Sequence, residues 1–447
     1  MRLRSITIKG LFGIFNHSIP LKTKGRLTII HGPNGVGKTT VLKLIHSIFR
    51  KDFFAVAKIN FSEVKLAFTN GTVLRIARQD PSSAKAGANL VATLKQKNKD
   101  SSEYKIPIGR HSESEVAQRL NMPLGVIEDI IQPLTQVGPR EWYDHGTGDV
   151  ISLFEVILRY GDELPIKADG LFKVPAPISH ALESLPVYFI QTQRLLSEEP
   201  VHHDFRYKPG LAKHRPGPRT VVERWAKDMS TRIQEKLRDS GELSASLDRQ
   251  FPSTLLGASL PPHAKESKIR EIYSEQTEVR NRLMKAGLID VETLVGLPAG
   301  QIDASELKVL WFYFSDVRKK LSVFDDLLKK IELFKEIINS RFLRKSFSVD
   351  KESGFTVKSD DDKTIPLNAL SSGEQHELVL TYELLFRVKQ NSLILIDEPE
   401  LSLHVTWQHK FLDDITRISE LVDLDFLIAT HSPSIIHDRS NLMTALS

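Results

Sequence analysis

The sequence predicts an α/β fold in which a mixed sheet is flanked by helices and interrupted by an inserted helical arm. Three observations carry that expectation. Short apolar runs at Leu27–Ile30, Leu393–Ile396 and Asp425–Ala429 are set among helix-like stretches, the pattern of buried parallel strands. A Gly-rich turn, Gly32 to Thr40, separates the first run from a helix-like segment, Lys38 to Arg50. From about Val221 to Phe342 helical patterns dominate.

Taken in order, residues 2–9 alternate like a strand, and Val64–Phe68 with Thr72–Ala77 read as a hairpin around Asn70-Gly71. Residues 81–122 are polar and read as irregular, and Pro186–Ile190 is a further strand candidate. Residues 201–219 hold Pro209, Gly210, Pro216, Gly217 and Pro218. They also carry Arg206, Lys208, Lys213, Arg215 and Arg219 against the single acid Asp204, a basic linker. Leu310, Phe314, Val317, Leu321, Phe324, Leu328, Ile331, Lys335, Ile338 and Phe342 recur at steps of four and three. That spacing fits either the heptad seam of a short arm or an ordinary core-facing helix. Strand character returns after Ser346, with Phe355–Lys358 before an acidic turn at Asp360–Asp362, and a helix is expected after Gly373. The implied organisation is 1–200, a helical insertion over 201–345, and 346–447.

Composition sets limits on this picture. The 447 residues are too many for one simple core and fit two or three lobes. With 40% hydrophobic and 26% charged residues, long disorder is not expected. No cysteine is present, which excludes disulfides and Cys-based zinc sites and favours an intracellular, cytoplasmic location. The N-terminus alternates charged and apolar residues and does not read as a signal peptide, and no apolar stretch is long enough for a membrane span. The net charge of +5 permits nucleic-acid contact without requiring it.

Gly32-Pro-Asn-Gly-Val-Gly-Lys-Thr-Thr40 matches the phosphate-binding loop pattern in its proper strand-to-helix context. Its glycines let backbone N–H groups wrap a phosphate, and the following helix turns its positive end to the same point. Asn34, Gly35, Gly37, Lys38, Thr39 and Thr40 are the candidate contacts; Lys38 is expected on the β- and γ-phosphates and Thr39 on Mg²⁺. Leu393 to Glu400 places Asp397 at the end of a buried strand, where it can bind the metal. Glu398 beside it is placed to orient and deprotonate a water.

Leu370-Ser371-Ser372-Gly373-Glu374-Gln375 resembles the signature motif of ABC-type ATPases, and it follows the phosphate loop and precedes Asp397-Glu398 in the family's order. The resemblance implies that Ser371 and Gly373 grip the γ-phosphate of ATP held by the opposite subunit. Ser372 departs from the pattern, standing where transporters carry a first Gly. His431, in Ala429-Thr-His-Ser-Pro433, is similar to the family's switch histidine, and Pro399 to His404 to its D-loop. Gln191 or Gln193 would be the Q-loop residue, with Gln191 the preferred ligand of Mg²⁺ or water. ATP and Mg²⁺ are thus the implied cofactors, ATP hydrolysis the implied activity, and a homo-oligomer, at least an ATP-sandwiched dimer, the implied assembly.

The long separation of Gln191 from Gly373 argues against a transporter and resembles the SMC/RecF/OLD-like group. Because few residues follow His431, no Toprim nuclease like that of OLD proteins is expected within this sequence. The opening Ile-Lys-Gly-Leu-Phe-Gly-Ile-Phe and the run Glu-Pro-Glu-Leu-Ser-Leu-His look like stand-alone ATPases of bacterial anti-phage systems such as PARIS and Septu. That likeness implies an ATPase that senses infection and controls a separate effector nuclease. The competing expectation is a RecF-like, ATP-dependent DNA-binding protein of repair. DNA would then contact Arg206–Arg219 and the basic stretch of Lys329, Lys330, Arg341, Arg344 and Lys345, stretches that equally suit a solvated surface. No membrane partner is expected.

Overall fold

The computed structural model describes residues 1–78, 88–97, 101–108, 122–131, 133–145, 149–153, 174–191, 220–290, 300–401 and 403–446, together with Val156, Tyr160, Leu164, Gly296 and Leu297. The chain forms two compact units, Met1–Leu211 with Val388–Ser447, and Ala212–Arg387.

The first unit begins with β1 (Leu3–Leu11), β2 (Phe15–Pro20) and β3 (Leu27–His31), then α1 (Lys38–Phe49) and α2 (Phe53–Lys58). The strands β4 (Glu63–Phe68) and β5 (Val73–Arg78) form the expected hairpin, in which Gly71 takes φ 85° and Asn70 accepts a hydrogen bond from the Thr72 amide. Part of the segment read as irregular is instead a second hairpin, β6 (Ala88–Lys95) and β7 (Ser102–Ile108), which extends an antiparallel sheet of order β2-β1-β4-β5-β6-β7. Next come α3 (Val126–Ile130), β8 (Leu134–Gly138), β9 (Glu141–Asp144) and β10 (Asp149–Ser152). They enclose a small core of their own around the buried Trp142. Helix α4 (Ala176–Glu183) leads into β11 (Val187–Gln191).

The second unit opens with α5 (Val221–Gly257), started by a full capping box between Thr220 and Glu223. Then follow α6 (Glu266–Lys285), α7 (Ala304–Ser322) and α8 (Asp325–Asn339). The seam of residues 310–342 is therefore two helices, broken at Val323–Phe324, and it faces inward. Phe314, Val317, Phe324, Leu328, Ile331, Ile338 and Phe342 are buried, α7 packs on α5 and α6, and α8 packs on β12 (Lys345–Asp350). A core-facing helix pair thus accounts for the periodicity. Strands β12, β13 (Gly354–Ser359) and β14 (Thr364–Ile365) form an antiparallel sheet, followed by α9 (Ser372–Tyr382). The unit so defined includes the segment Leu370–Gln375, which the sequence grouped with the C-terminal 346–447.

Back in the first unit, β15 (Leu393–Asp397), α10 (Val405–Val422), β16 (Asp425–Ala429), α11 (Pro433–Ile436) and β17 (Met443–Ala445) complete a second sheet. It is wholly parallel, of order β11-β15-β16-β3-β17. Four of the five residues in each central strand, β3, β15 and β16, are buried, because both faces of the sheet are covered. Val41, Leu42, Leu44, Ile45, Ile48 and Phe49 of α1 join one core with residues of both large sheets. Each such side chain contributes about 1.5–3 kcal/mol over its exposed state, which anchors the helix that follows the Gly-rich turn. The protein is thus an α/β fold that combines parallel and antiparallel sheets with flanking helices.

Candidate functional site

The parallel register brings the candidate residues to one edge. Gln191 lies opposite Asp397, Asp397 opposite Ala429, and Ala429 opposite Ile30. The strands therefore end together, with the Gly32 turn, Asp397, the residues before His431, and Gln191 at their carboxyl ends. This is the edge at which open α/β sheets hold ligands. The side chain of Gln191 and the whole of Gln193 lie outside the described residues.

The Gly32–Thr40 turn has the geometry of a cradle. Gly35 and Gly37 take φ of 86° and 95°, and a Cβ on Gly37 would stand 2.8 Å from Leu11 Cδ2. Only glycine suits both requirements at Gly37. Helix α1 starts there with no side-chain cap, so its first N–H groups are left for a ligand. Asn34 and Gly35 are exposed at the tip, and Thr40 is half-buried. Lys38 Nζ donates to the carbonyls of Gly32 at 2.9 Å and Pro33 at 3.1 Å, so the turn closes over its own lysine. Burial lowers the Lys38 pKa, against the opposing pull of Glu398, Asp397 and Glu400. One supporting residue was not legible beforehand: His17, almost fully buried, donates from Nε2 to Val36 O at 3.0 Å.

Thr39 Oγ1 donates to Asp397 Oδ1 at 3.1 Å. Burial raises the Asp397 pKa, with Glu398 and Glu400 adding to the rise while Thr39 and Lys43 oppose it. Such a carboxylate gains from a cation beside it. Among the described residues no group of three or more His, Asp or Glu could hold a metal alone. A nucleotide-borne Mg²⁺ needs no such group, since one or two carboxylates and a hydroxyl suffice with phosphate oxygens. The Thr39–Asp397 pair fits that requirement. Glu398 has φ 45°, an uncommon conformation for a non-glycine residue, and its amide donates to Ala429 O at 2.9 Å. Strain at a strand end beside a candidate metal ligand is characteristic of functional positions.

His431 is exposed, and a turn-to-turn network holds its backbone. Glu400 accepts from Thr430 Oγ1 at 2.8 Å and from the His431 amide at 2.7 Å. Ser432 Oγ donates to Gln408 Oε1 at 2.8 Å, and Gln408 Nε2 reaches Glu400 O at 3.3 Å. In the sequence Glu400 lies inside the D-loop-like run Pro399 to His404, where no local pattern marks this role. Its position two residues after Glu398, with hydroxyl residues on both sides of His431, was the available signal.

Ser371 and Gly373 belong to the second unit. Ser371 is the N-cap of α9, in a capping box with Glu374. Its hydroxyl and its amide each donate to Glu374 Oε2 at 2.9 Å, and Lys345 Nζ sits 2.7 and 2.9 Å from the two Glu374 oxygens. The expected basic stretch is therefore only partly a surface. Arg341 is buried and paired with Glu377 at 3.7 Å, Lys345 with Glu374, and Lys330 with Asp326, leaving Lys329 and Arg344 exposed. The linker Arg206–Arg219 lies outside the described residues.

Comparison with known proteins adds a family. The AAA_21 model, described as "AAA domain, putative AbiEii toxin, Type IV TA system", matches residues 27–437. No curated protein matches the sequence significantly. Among solved structures, the chain is similar to an Smc head domain from Pyrococcus furiosus, bound to the C-terminal domain of ScpA, at 12% identity. That likeness covers 97% of this chain and 91% of the other, with a TM-score of 0.35. It is also similar to the SMC head domain from Thermotoga maritima at 11% identity, over 100% and 95% of the two chains, with a TM-score of 0.33. These values are low, and the assignment rests on the family match together with the geometry of the sheet edge. The matched span runs from β3 through the Gly-rich turn, Asp397 and His431, so the chain belongs to the AAA_21 family of AAA domains, on a P-loop nucleotide-binding fold.

Proposed function

We propose that this protein is an ATPase whose nucleotide site is completed by a second copy of the chain. Lys38, the glycines of the turn and the first N–H groups of α1 take the β- and γ-phosphates, with Asn34 and Thr40 flanking them. Thr39 and Asp397, with Gln191, would hold Mg²⁺, which would supply neutralisation of phosphate charge. Glu398 accepts a proton from the attacking water, and His431 orients the γ-phosphate side. Ser371 and Gly373, at the tip of α9, are the groups a second copy would lend. The observation that carries the reading is the 3.1 Å hydrogen bond between Thr39 and Asp397, residues 358 positions apart that meet beside the phosphate turn.

In the cell, we place this ATPase in anti-phage defence, where ATP-driven association senses infection and restrains or releases a separate effector nuclease. Support comes from the family description, which names a putative toxin of a type IV toxin–antitoxin system. Support also comes from the likeness of the opening and D-loop motifs to ATPases of defence systems. A repair role through the basic stretch is disfavoured because Arg341 and Lys345 are engaged inside their own unit.

Four measurements test the reading: phosphate release and molecular mass with ATP and Mg²⁺ on purified protein, recovery of the neighbouring gene's product on co-expression, and protection of cells from phage. Hydrolysis that is lost in Lys38→Ala, and an ATP-dependent mass increase that is lost in Ser371→Arg, are the expected results. A wild-type protein that releases no phosphate and keeps one mass with and without ATP would overturn it. A hydrolysing protein that neither recovers a partner nor protects cells from phage would retain the ATPase and remove the defence role.

A further inference from the structure

We infer that Glu400 is a positioning residue that sets the turn carrying His431, and that the rate of hydrolysis depends on it through that histidine. The inference rests on the ATPase reading for its consequence, but its geometric content stands on the protein alone. Two turns at the sheet edge, residues 398–401 after β15 and 429–432 after β16, are joined by a closed set of hydrogen bonds. The Glu398 amide donates to Ala429 O at 2.9 Å. Both Glu400 oxygens are used, Oε2 by the Thr430 hydroxyl at 2.8 Å and Oε1 by the His431 amide at 2.7 Å. Thr430 Oγ1 in turn accepts from the Ser432 amide at 3.0 Å. Gln408 closes the ring, taking the Ser432 hydroxyl at 2.8 Å while donating to Glu400 O and Leu403 O at 3.3 Å each.

The chemistry of this arrangement is specific. A carboxylate is an acceptor at both oxygens, and here both donors belong to adjacent residues of one turn. Hydrogen bonds to a charged acceptor are stronger than neutral ones, which suits a turn that runs from the buried Thr430 to the exposed His431. Thr430 is fully buried, so its hydroxyl needs this acceptor. The His431 side chain is exposed, so its direction follows from the backbone, whose amide Glu400 grips. Glu398, the candidate base, and His431 are in this way tied to one frame, and Glu400 fixes the spacing between them.

The test combines amide hydrogen exchange of the nucleotide-free protein with steady-state kinetics. Wild type, Glu400→Ala, His431→Ala and the double variant are compared. In Glu400→Ala the amides of residues 430–432 should exchange at least about tenfold faster while the β15 and β16 amides keep their protection. The kcat should fall by at least about tenfold with KM within about threefold, because a misplaced γ-phosphate contact affects the reaction more than binding. On the His431→Ala background the Glu400→Ala change should add less than about twofold, since two residues acting as one unit are not additive. Unchanged exchange at 430–432 overturns the inference, as does a full multiplicative loss in the double variant. If Glu400→Ala does not fold, Thr430→Val removes one of the two donors and should give faster exchange at the His431 amide; unchanged exchange there overturns the inference equally. The exchange result does not depend on turnover. A protein that lacks ATPase activity yet shows the exchange change would overturn the ATPase reading and the kinetic consequence while keeping the positioning geometry.

Discussion

Lys345 Nζ lies 2.7 and 2.9 Å from the two carboxylate oxygens of Glu374, the residue that closes the capping box on Ser371. The start of β12 is thereby clamped to the tip of α9, and the serine that the proposed dimer presents is held by a carboxylate that is itself neutralised. Burial alone would raise the Glu374 pKa, but the hydrogen bonds from Lys345 and Ser371 outweigh it and hold the carboxyl below its ordinary range.

Lys345→Met should therefore destabilise the protein by about 2 kcal/mol at neutral pH, less than a fully buried pair would cost because both side chains keep some solvent. The sign of the pH dependence follows from the lowered pKa. The stabilisation is present above the value of an unfolded-chain carboxyl and is lost as pH falls through the lowered folded value. Thermal unfolding at a series of pH values should show the gap between wild type and variant full at pH 7 and closing in acid. A gap that persists unchanged in acid would mean that the lysine acts by packing and not by charge.

Asp397→Asn should separate stability from function. The raised pKa of Asp397 means that its charge is penalised in the folded protein without a cation, a penalty present above the folded pKa and relieved as pH falls through it. Removing the charge should raise the unfolding midpoint at pH 7 by about 1–2 °C and give no gain in acid. Mg²⁺-dependent nucleotide binding should weaken by at least about tenfold, as for loss of a metal-supporting group. Calorimetry with and without Mg²⁺ and ATP reads both effects, and a variant that keeps Mg²⁺-dependent binding would remove Asp397 from the metal site.

Glu398→Gln keeps the shape and the backbone hydrogen bond to Ala429 but cannot take a proton. Nucleotide affinity should stay within about threefold, while hydrolysis falls by about 10²–10⁴, the range for loss of a general base. Single-turnover measurements distinguish this from slow product release. Wild-type turnover in the variant would assign the base elsewhere.

The parts of this site carried by single segments were legible in the sequence. Four-residue apolar runs can only be buried strands here, and the Gly32–Thr40 spacing dictates its own turn. What depends on tertiary placement was not legible. Glu400 acts on Thr430 and His431, 30 and 31 positions away, through a meeting of two turns that no local pattern encodes. The break at Val323–Phe324 was hidden because Phe324 keeps helical angles, φ −93° and ψ −10°, so the apolar period runs on through it. The β6–β7 hairpin was missed for a related reason: its polar residues, such as Thr93 and Glu103, suit the exposed face of an antiparallel sheet as readily as a loop.

The basic stretch illustrates the same limit and gives a last prediction. Sequence alone treats Arg341 and Arg344 alike, yet the Arg341 side chain is 2% exposed beside Glu377 at 7%, whereas Arg344 is open to solvent. A buried charge whose partner is removed is left uncompensated, so Arg341→Met should cost about 3–5 kcal/mol and lower the yield of folded protein. Arg344→Ala should change stability by less than about 0.5 kcal/mol. If DNA binding through this stretch existed, Arg344→Ala and Lys329→Ala would weaken it and reduce its salt dependence, because only exposed cations can release phosphate counterions. The expected result is no salt-sensitive DNA affinity to lose, and denaturant unfolding in which Arg341→Met lowers stability while Arg344→Ala and Lys329→Ala do not. Salt-dependent binding abolished by Arg344→Ala would restore the repair reading.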